Sequence, residues 1–286
     1  MKPDIDSFFD SVTGTWSYLV VDPGTQQAAI IDPVLDFDAA SARIARSSAD
    51  RIVETARQRG LTVAWILETH AHADHLSAAA YLKQQFAAPV AIGIGIREVQ
   101  ETFARVFNLG PDFACDGSQF ERLLGDGEVL PLGNLAIRVL ATPGHTSDSV
   151  SYVVGDAVFV GDTLFLPDAG SARCDFPGGD AATLYRSVHL LFALGEDMRL
   201  FVCHDYPPAG REPRCESTVA AQRAGNIHLR DGVNMEAFVQ MRTARDATLG
   251  MPKLILPAIQ VNIRAGDMPP AEDNGGVYLK LPVDML

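Results

Sequence analysis

The chain has 286 residues, 47% of them hydrophobic and 21% charged, enough to bury a large core without a disulfide or metal to hold it together. Its 36 acidic residues outweigh 23 basic ones, leaving a net charge of −13, and no block of five Lys/Arg occurs, which argues against nucleic acid or an anionic membrane surface as partner. Met1-Lys2-Pro3-Asp4-Ile5-Asp6 lacks the basic segment and apolar run of a secretory signal, no stretch of 18 apolar residues exists, and Cys115, Cys174, Cys203 and Cys215 form no Cys-x-x-Cys pair, so a cytoplasmic chain with reduced thiols is expected.

In chain order, Trp16 to Asp22 and Ala28 to Pro33 read as strands joined by the turn sequence Pro23-Gly24-Thr25-Gln26. Ser48 to Arg59 is an amphipathic helix closed by Gly60, and an apolar strand through Leu67 follows at once. A helix over Leu76 to Phe86, a strand over Pro89 to Ile94 and a helix over Arg97 to Phe107 continue this β/α alternation. From Gly127 the character changes. Glu128 to Leu130, Leu135 to Leu140, Ser149 to Val154 and Ala157 to Val160 are short strands with Gly-containing turns, and antiparallel pairing is expected. Leu184 to Leu194 returns to helix, Leu200 to Cys203 to strand, and Glu216 to Arg223 to helix. A helix over Met235 to Leu249 is expected in the tail, after which Pro252, Pro257, Pro269 and Pro270 break regular structure. One domain over 1–286 is predicted, with 225–286 an extension that wraps the core; no low-complexity linker or internal repeat is visible.

Chemistry concentrates in His70-Ala71-His72-Ala73-Asp74-His75, three imidazoles and a carboxylate in six residues between a strand and a helix. In a locally extended segment residues i and i+2 point the same way, so His70 and His72 approach one ion together. Asp74 and His75 project from a different backbone direction and suit a neighbouring ion or a bound water. Three further loops at strand ends each carry a ligand type: Pro143-Gly144-His145-Thr146, Gly161-Asp162-Thr163 and His204-Asp205-Tyr206. Singly each is a common turn sequence; rigid scaffolds nevertheless gather such loops at one edge.

The order His-x-His-x-Asp-His, then His145, Asp162 and His204, resembles the metallo-β-lactamase superfamily. That resemblance implies an α+β four-layer αββα sandwich, two mixed sheets face to face with helices outside and the metal site at one edge. In dinuclear members one metal takes the positions of His70, His72 and His145, the other those of Asp74, His75 and His204, with Asp162 bridging. The flanking runs Gly161 to Phe165, Gly170 to Phe176, Leu184 to Val188, His204-Asp205-Tyr206 and Ile259 to Arg264 are similar to the persulfide dioxygenase branch and to bacterial β-lactamase-like hydrolase proteins close to it. Coverage runs from about Phe9 to the end, and the loop between Asp162 and Arg173 is about two residues longer than in mitochondrial-type members, which leaves the carrier thiol open.

This branch implies a single Fe(II) at the positions of His70, His145 and Asp162, the two-imidazole, one-carboxylate set of non-haem iron oxygenases. The implied reaction takes a glutathione-type persulfide and dioxygen to sulfite and thiol. Arg173 and Tyr206 match residues that hold the glutathione portion, Arg by its planar fork, although an internal ion pair of Arg173 with Asp175 is an equal expectation. His72, Asp74, His75 and His204 would then orient ligands or bound water, or hold a second metal. The competing reading is a dinuclear zinc hydrolase of glutathione thioesters, resembling hydroxyacylglutathione hydrolase, with two Zn and a bridging hydroxide. A sensor without catalysis is a third class. The resemblance also implies a homodimer. Cys174 and Cys203 read as buried small hydrophobes, and His189 and His228 as ordinary helix and loop residues.

Overall fold

The computed structural model describes residues 2–207 and 210–285. Strands β1 (Asp4–Asp10), β2 (Thr15–Val21) and β3 (Gln27–Ile31) open the chain as an antiparallel meander, followed by the hairpin of β4 (Val34–Asp38) and β5 (Arg43–Ala45). Helix α1 (Ser47–Gln58) leads into β6 (Thr62–Leu67), and the two-residue β7 (Leu76–Ser77) pairs with β4. Helix α2 (Ala79–Phe86), β8 (Val90–Gly93), α3 (Ile96–Val106) and β9 (Arg122–Leu124) complete this half. The first sheet runs β1-β2-β3-β6-β8-β9, parallel from β3 onward, because each crossover there carries a helix or a long loop.

The second half is antiparallel at first, as expected from its turns: β10 (Val129–Leu132), β11 (Leu135–Ala141), β12 (Val150–Val154) and β13 (Ala157–Phe159). Helix α4 (Ala181–Phe192) then crosses to β14 (Arg199–Phe201), parallel to β13, and β15 (Glu216–Thr218) closes the second sheet. Helices α5 (Val219–Gly225), α6 (Met235–Asp246) and α7 (Ile255–Asn262) follow.

The central strands of each sheet are buried on both faces, with successive side chains pointing to opposite layers, while the outer face of β10 and β11 is exposed. In β2 and β3, Tyr18, Val20, Ala29 and Ile31 face the second sheet, while Leu19, Val21, Ala28 and Ile30 face a helical layer built on α1, α2, α3 and α7. The outer face of the second sheet packs Val158, Leu200 and Val202 against Leu184, Val188 and Leu191 of α4 and Phe238 of α6. The order is therefore helix, sheet, sheet, helix. Between the sheets Tyr18, Phe159 and Phe201 pack ring on ring, with centroids 5.0 to 5.6 Å apart. Two buried hydroxyls tie the sheets together at one edge: Tyr18 donates to the Val202 carbonyl and Tyr152 to that of Glu68 at 2.7 Å.

The tail departs from the sequence expectation at α7. Pro257 is its third residue, in the first turn, where the missing N–H has no helical acceptor to lose, so it does not break the helix. Residues 216–218 pair as a strand before α5 begins, where helix was expected. Among the described residues no helix is long and apolar enough to cross a membrane.

Candidate metal centre

The four ligand-bearing loops leave neighbouring strand ends, and backbone bonds between the sheets hold them in register. β6 ends at Leu67 and delivers His70 to His75; β11 and β12 flank His145; β13 runs into a tight turn at Gly161–Thr163 that carries Asp162; β14 leads to His204. Val150 N donates to Thr69 O at 2.9 Å and Trp16 N to Cys203 O at 2.7 Å, so these loops cannot separate without breaking cross-sheet bonds. Two glycines are required here. Gly161 has φ 52°, and a Cβ on it would lie 2.6 Å from Thr69 Oγ1; Gly144 has φ 137°, and a Cβ would lie 2.4 Å from the Leu184 backbone. Each precedes a ligand, so space for the backbone and placement of the ligand are one constraint.

The predicted side chains gather in one region, but His72 does not join His70 and His145 as expected: its Nε2 lies beside Asp32 and Glu68. His70, His145 and Asp162 bring one donor atom each within 4.8 Å of one another. Asp162 Oδ2 lies 3.9 Å from His70 Nε2 and 3.7 Å from His145 Nε2, while its Oδ1 turns toward His204 Nε2 at 3.3 Å. His204 Nε2 also lies 3.1 Å from Asp74 Oδ2, and His72, His75, Cys203 and His204 form a second group with donors within 4.8 Å. The Asp162 carboxylate thus sits between the two groups.

Donor atoms left without hydrogen-bond partners point to a metal. His70 Nε2, His75 Nε2, His204 Nε2, Asp162 Oδ1 and His72 Nδ1 are buried without a hydrogen-bond partner. Buried polar atoms are normally satisfied, and so many orphans around one point fit a cation. The charge states divide the cluster. Burial, and then the positive charge of His72, push His70 well below the usual histidine range and His75 down to about 3, so both are neutral and keep a lone pair for a metal. His72 is the exception: burial lowers its pKa, but Asp32 and Glu68 beside it outweigh that and raise it well above the usual range.

A second set of residues orients the ligands. Arg173 O accepts from His145 Nδ1 at 2.7 Å, Thr69 Oγ1 lies 3.1 Å from His70 Nδ1, and Leu76 O lies 3.2 Å from His75 Nδ1. Asp32, buried at the end of β3, accepts from Thr69 N at 2.7 Å and Thr69 Oγ1 at 2.9 Å, and its Oδ1 lies 3.1 Å from His72 Nε2. Burial opposes ionisation of Asp32, but His72 and the Thr69 donors outweigh it and hold its pKa below the usual value. Glu68 stands 3.5 Å from His72 Nε2. Asp148 accepts from Ala71 N at 2.8 Å, and Asn262 of α7 donates to the carbonyls of His72 and His75 at 2.7 and 2.8 Å. The sequence reading did not single out Asp32, Glu68 or Asp148; a carboxylate ending an otherwise apolar strand is the signal that marks the first two.

The centre opens into a cavity of about 1430 Å³ lined by Asp74, His75, His145, Asp162, Arg173 and Tyr206 among others. Arg173 forms the ion pair anticipated as its alternative: Nε and Nη2 each donate to Asp175 at 2.6 Å, and Nη1 donates to Gly250 O at 2.7 Å. One N–H on each terminal nitrogen is left without a protein partner in these bonds, and Arg173 lines the cavity. Tyr206 is 60% exposed and stacks on His204 with centroids 5.8 Å apart. Cys174 and Cys203 are buried; desolvation, and then nearby carboxylates, push the first up to about 12 and the second well above the usual thiol range. His189 stacks on Tyr185 in α4, and His228 accepts from Ser171 N at 3.0 Å, both away from the ligand groups.

Comparison with known proteins decides the family. The model of the metallo-beta-lactamase superfamily matches residues 10–204, which includes every ligand position. The chain belongs to this superfamily. A probable metallo-hydrolase of Burkholderia pseudomallei is 52% identical over 292 residues, covering 99% of both chains. Further relatives at 51% or 52% identity are longer, and the chain spans 65% of their length. The human mitochondrial persulfide dioxygenase ETHE1 is 29% identical over 92% of this chain and 88% of its own. Among solved structures, ETHE1 from Myxococcus xanthus superposes with a TM-score of 0.73 at 31% identity, over 92% of this chain and 100% of that one. The metallo-β-lactamase fold and a metal-binding enzyme site of the superfamily's kind are thereby shown.

Proposed function

We propose that this chain is an iron-dependent persulfide dioxygenase that oxidises a glutathione-type persulfide with O2 to sulfite and thiol. The observation that carries this reading is the buried grouping of His70, His145 and Asp162, the last two of which line an open cavity, in a chain similar to a persulfide dioxygenase. Two imidazoles and one carboxylate suit Fe(II), which when bound supplies open coordination positions and electrons for dioxygen chemistry. Overall, persulfide, O2 and water yield thiol, sulfite and two protons; the outer sulfur is oxidised, the S–S bond breaks and the inner sulfur leaves as the thiol.

The chain's own side chains bind and orient. Arg173 lines the cavity with two N–H groups to spare, which suit a carboxylate of the carrier, and the exposed Tyr206 offers a ring and a hydroxyl beside it. Arg245 and Lys253 also line the cavity and have no carboxylate partner among the described residues, adding positive charge for an anionic carrier. His72, Asp74, His75 and His204 remain to orient bound water beside the persulfide.

A second reading has a specific observation behind it. Asp162 Oδ1 faces His204 while Oδ2 faces His70 and His145, a disposition that also suits a carboxylate bridging two zinc ions in a glutathione thioester hydrolase. Metal analysis joined to oxygen consumption with glutathione persulfide separates the two.

A further inference from the structure

Helix α6 contains a buried ion pair that touches no ligand. Arg242 and Asp246, 1% and 4% exposed, lie one turn apart, with Arg242 Nη2 2.5 Å from Asp246 Oδ1. Such a pair is a poor way to stabilise a core, since apolar residues of like volume do as well or better. Its outward contacts give it another role. Arg242 Nη1 donates to Ser171 O at 3.1 Å, and Asp246 Oδ2 accepts from Cys174 N at 2.9 Å. These two contacts grip the chain on either side of Arg173.

The gripped segment, residues 171–175, has no strand or helix of its own to direct its peptide groups. The Arg173 side chain is held at Gly250 and Asp175, and its guanidinium lies 4.8 Å from the Phe176 ring, which in turn packs edge-on to His145 at 5.3 Å. The Arg173 carbonyl is then aimed at His145 Nδ1, 2.7 Å away. A carbonyl only accepts, so His145 Nδ1 must donate, and the lone pair is left on Nε2, the nitrogen facing Asp162.

We infer that Arg242 and Asp246 are positioning residues for the metal centre, acting through the Ser171–Cys174 segment and the Arg173 carbonyl to fix the tautomer and direction of His145. The inference rests on the reading that His145 is a metal ligand. It assigns the C-terminal extension a part in metal binding that goes beyond covering the core: a helix beginning 90 residues after His145 sets how firmly that ligand is held.

Cobalt(II) is a suitable probe, because its visible d–d absorption reports ligand identity and geometry without turnover. Wild type, His145→Ala and the double variant Arg242→Met with Asp246→Leu are titrated with Co(II), and thermal unfolding is followed in parallel. The double variant is expected to fold, to lose about 10- to 100-fold in Co(II) affinity and to show a changed d–d band. If it binds Co(II) with wild-type affinity and spectrum while His145→Ala is impaired, the inference is wrong and the metal reading stands. If His145→Ala binds as wild type, the metal reading itself fails and takes the inference with it. Should the double variant not fold, amide hydrogen exchange in the wild type decides: Co(II) loading slows exchange at Cys174 several-fold if the segment and His145 are coupled, and unchanged exchange contradicts it.

Discussion

Asp32 Oδ1 lies 3.1 Å from His72 Nε2, joining a residue at the end of β3 to the central member of the His70–His75 cluster. The same carboxylate holds Thr69 by its N–H and its hydroxyl, so one buried side chain sets both the start of the cluster and the ring of its second histidine. Replacing Asp32 by Ala removes these bonds while touching no proposed iron ligand. Metal affinity is expected to fall about 10- to 100-fold, measured by chelator competition, with wild-type affinity counting against the orienting role.

Gly161 is the second such point. An alanine there must adopt φ 52° and place its Cβ 2.6 Å from Thr69 Oγ1. Gly161→Ala is expected to cost about 1–3 kcal/mol in denaturant unfolding and to displace Asp162, so that bound iron drops with stability. Full metal content in this variant would show that the turn has room to spare.

Carrier binding is tested at the mouth of the cavity. Arg173→Lys loses the fork and Tyr206→Ala loses ring and hydroxyl, and each is expected to raise KM for glutathione persulfide several-fold more than it lowers kcat. Because Arg173 also grips Asp175 and Gly250, the Tyr206 variant is the cleaner comparison: Tyr206 is exposed and its main packing is on His204. An unchanged KM in both variants would remove them from the carrier site.

Stability should depend on pH through His228. Burial, and then the charges of Arg242 and Arg245, lower its pKa to about 4, below the ordinary value of 6.5. Between those values the unfolded chain takes up a proton that the folded chain refuses, so this contribution to stability is whole above pH 6.5, falls as pH drops toward 4 and changes no further below it. His228→Asn keeps an acceptor for Ser171 N and cannot titrate. Urea unfolding at pH 7.5 and 5 should show a smaller loss in the variant than in wild type; equal losses would place the titration elsewhere.

Much of the site was legible in the sequence because metal ligation demands particular residue types at close spacing, and His70 to His75 has no other plausible reason to be so dense. His145, Asp162 and His204 were weaker singly and became firm only through their order along the chain. What organises them was hidden for physical reasons. Asp32 and Glu68 each look like an acid at a strand end, and only the folded chain shows them buried against Thr69, His72 and Ser77. Arg242 and Asp246 have the spacing of a surface helix pair, and only the packing of α6 on the loop before Phe176 shows them buried. In the fold, β1 was missed because Asp-Ile-Asp-Ser-Phe-Phe-Asp alternates poorly, as an edge strand can. Helix α7 was missed because Pro257 read as a breaker although it occupies the first turn, and with α7 went the structural reason for Asn262.

The central claim, one iron held by His70, His145 and Asp162 for persulfide oxidation, is tested most directly by metal analysis of the purified protein combined with an oxygen electrode. About one iron per chain is expected, with oxygen uptake on glutathione persulfide and sulfite formed in step, all lost in Asp162→Ala. Two zinc ions per chain with turnover of S-lactoylglutathione and no oxygen uptake would contradict it and establish the hydrolase.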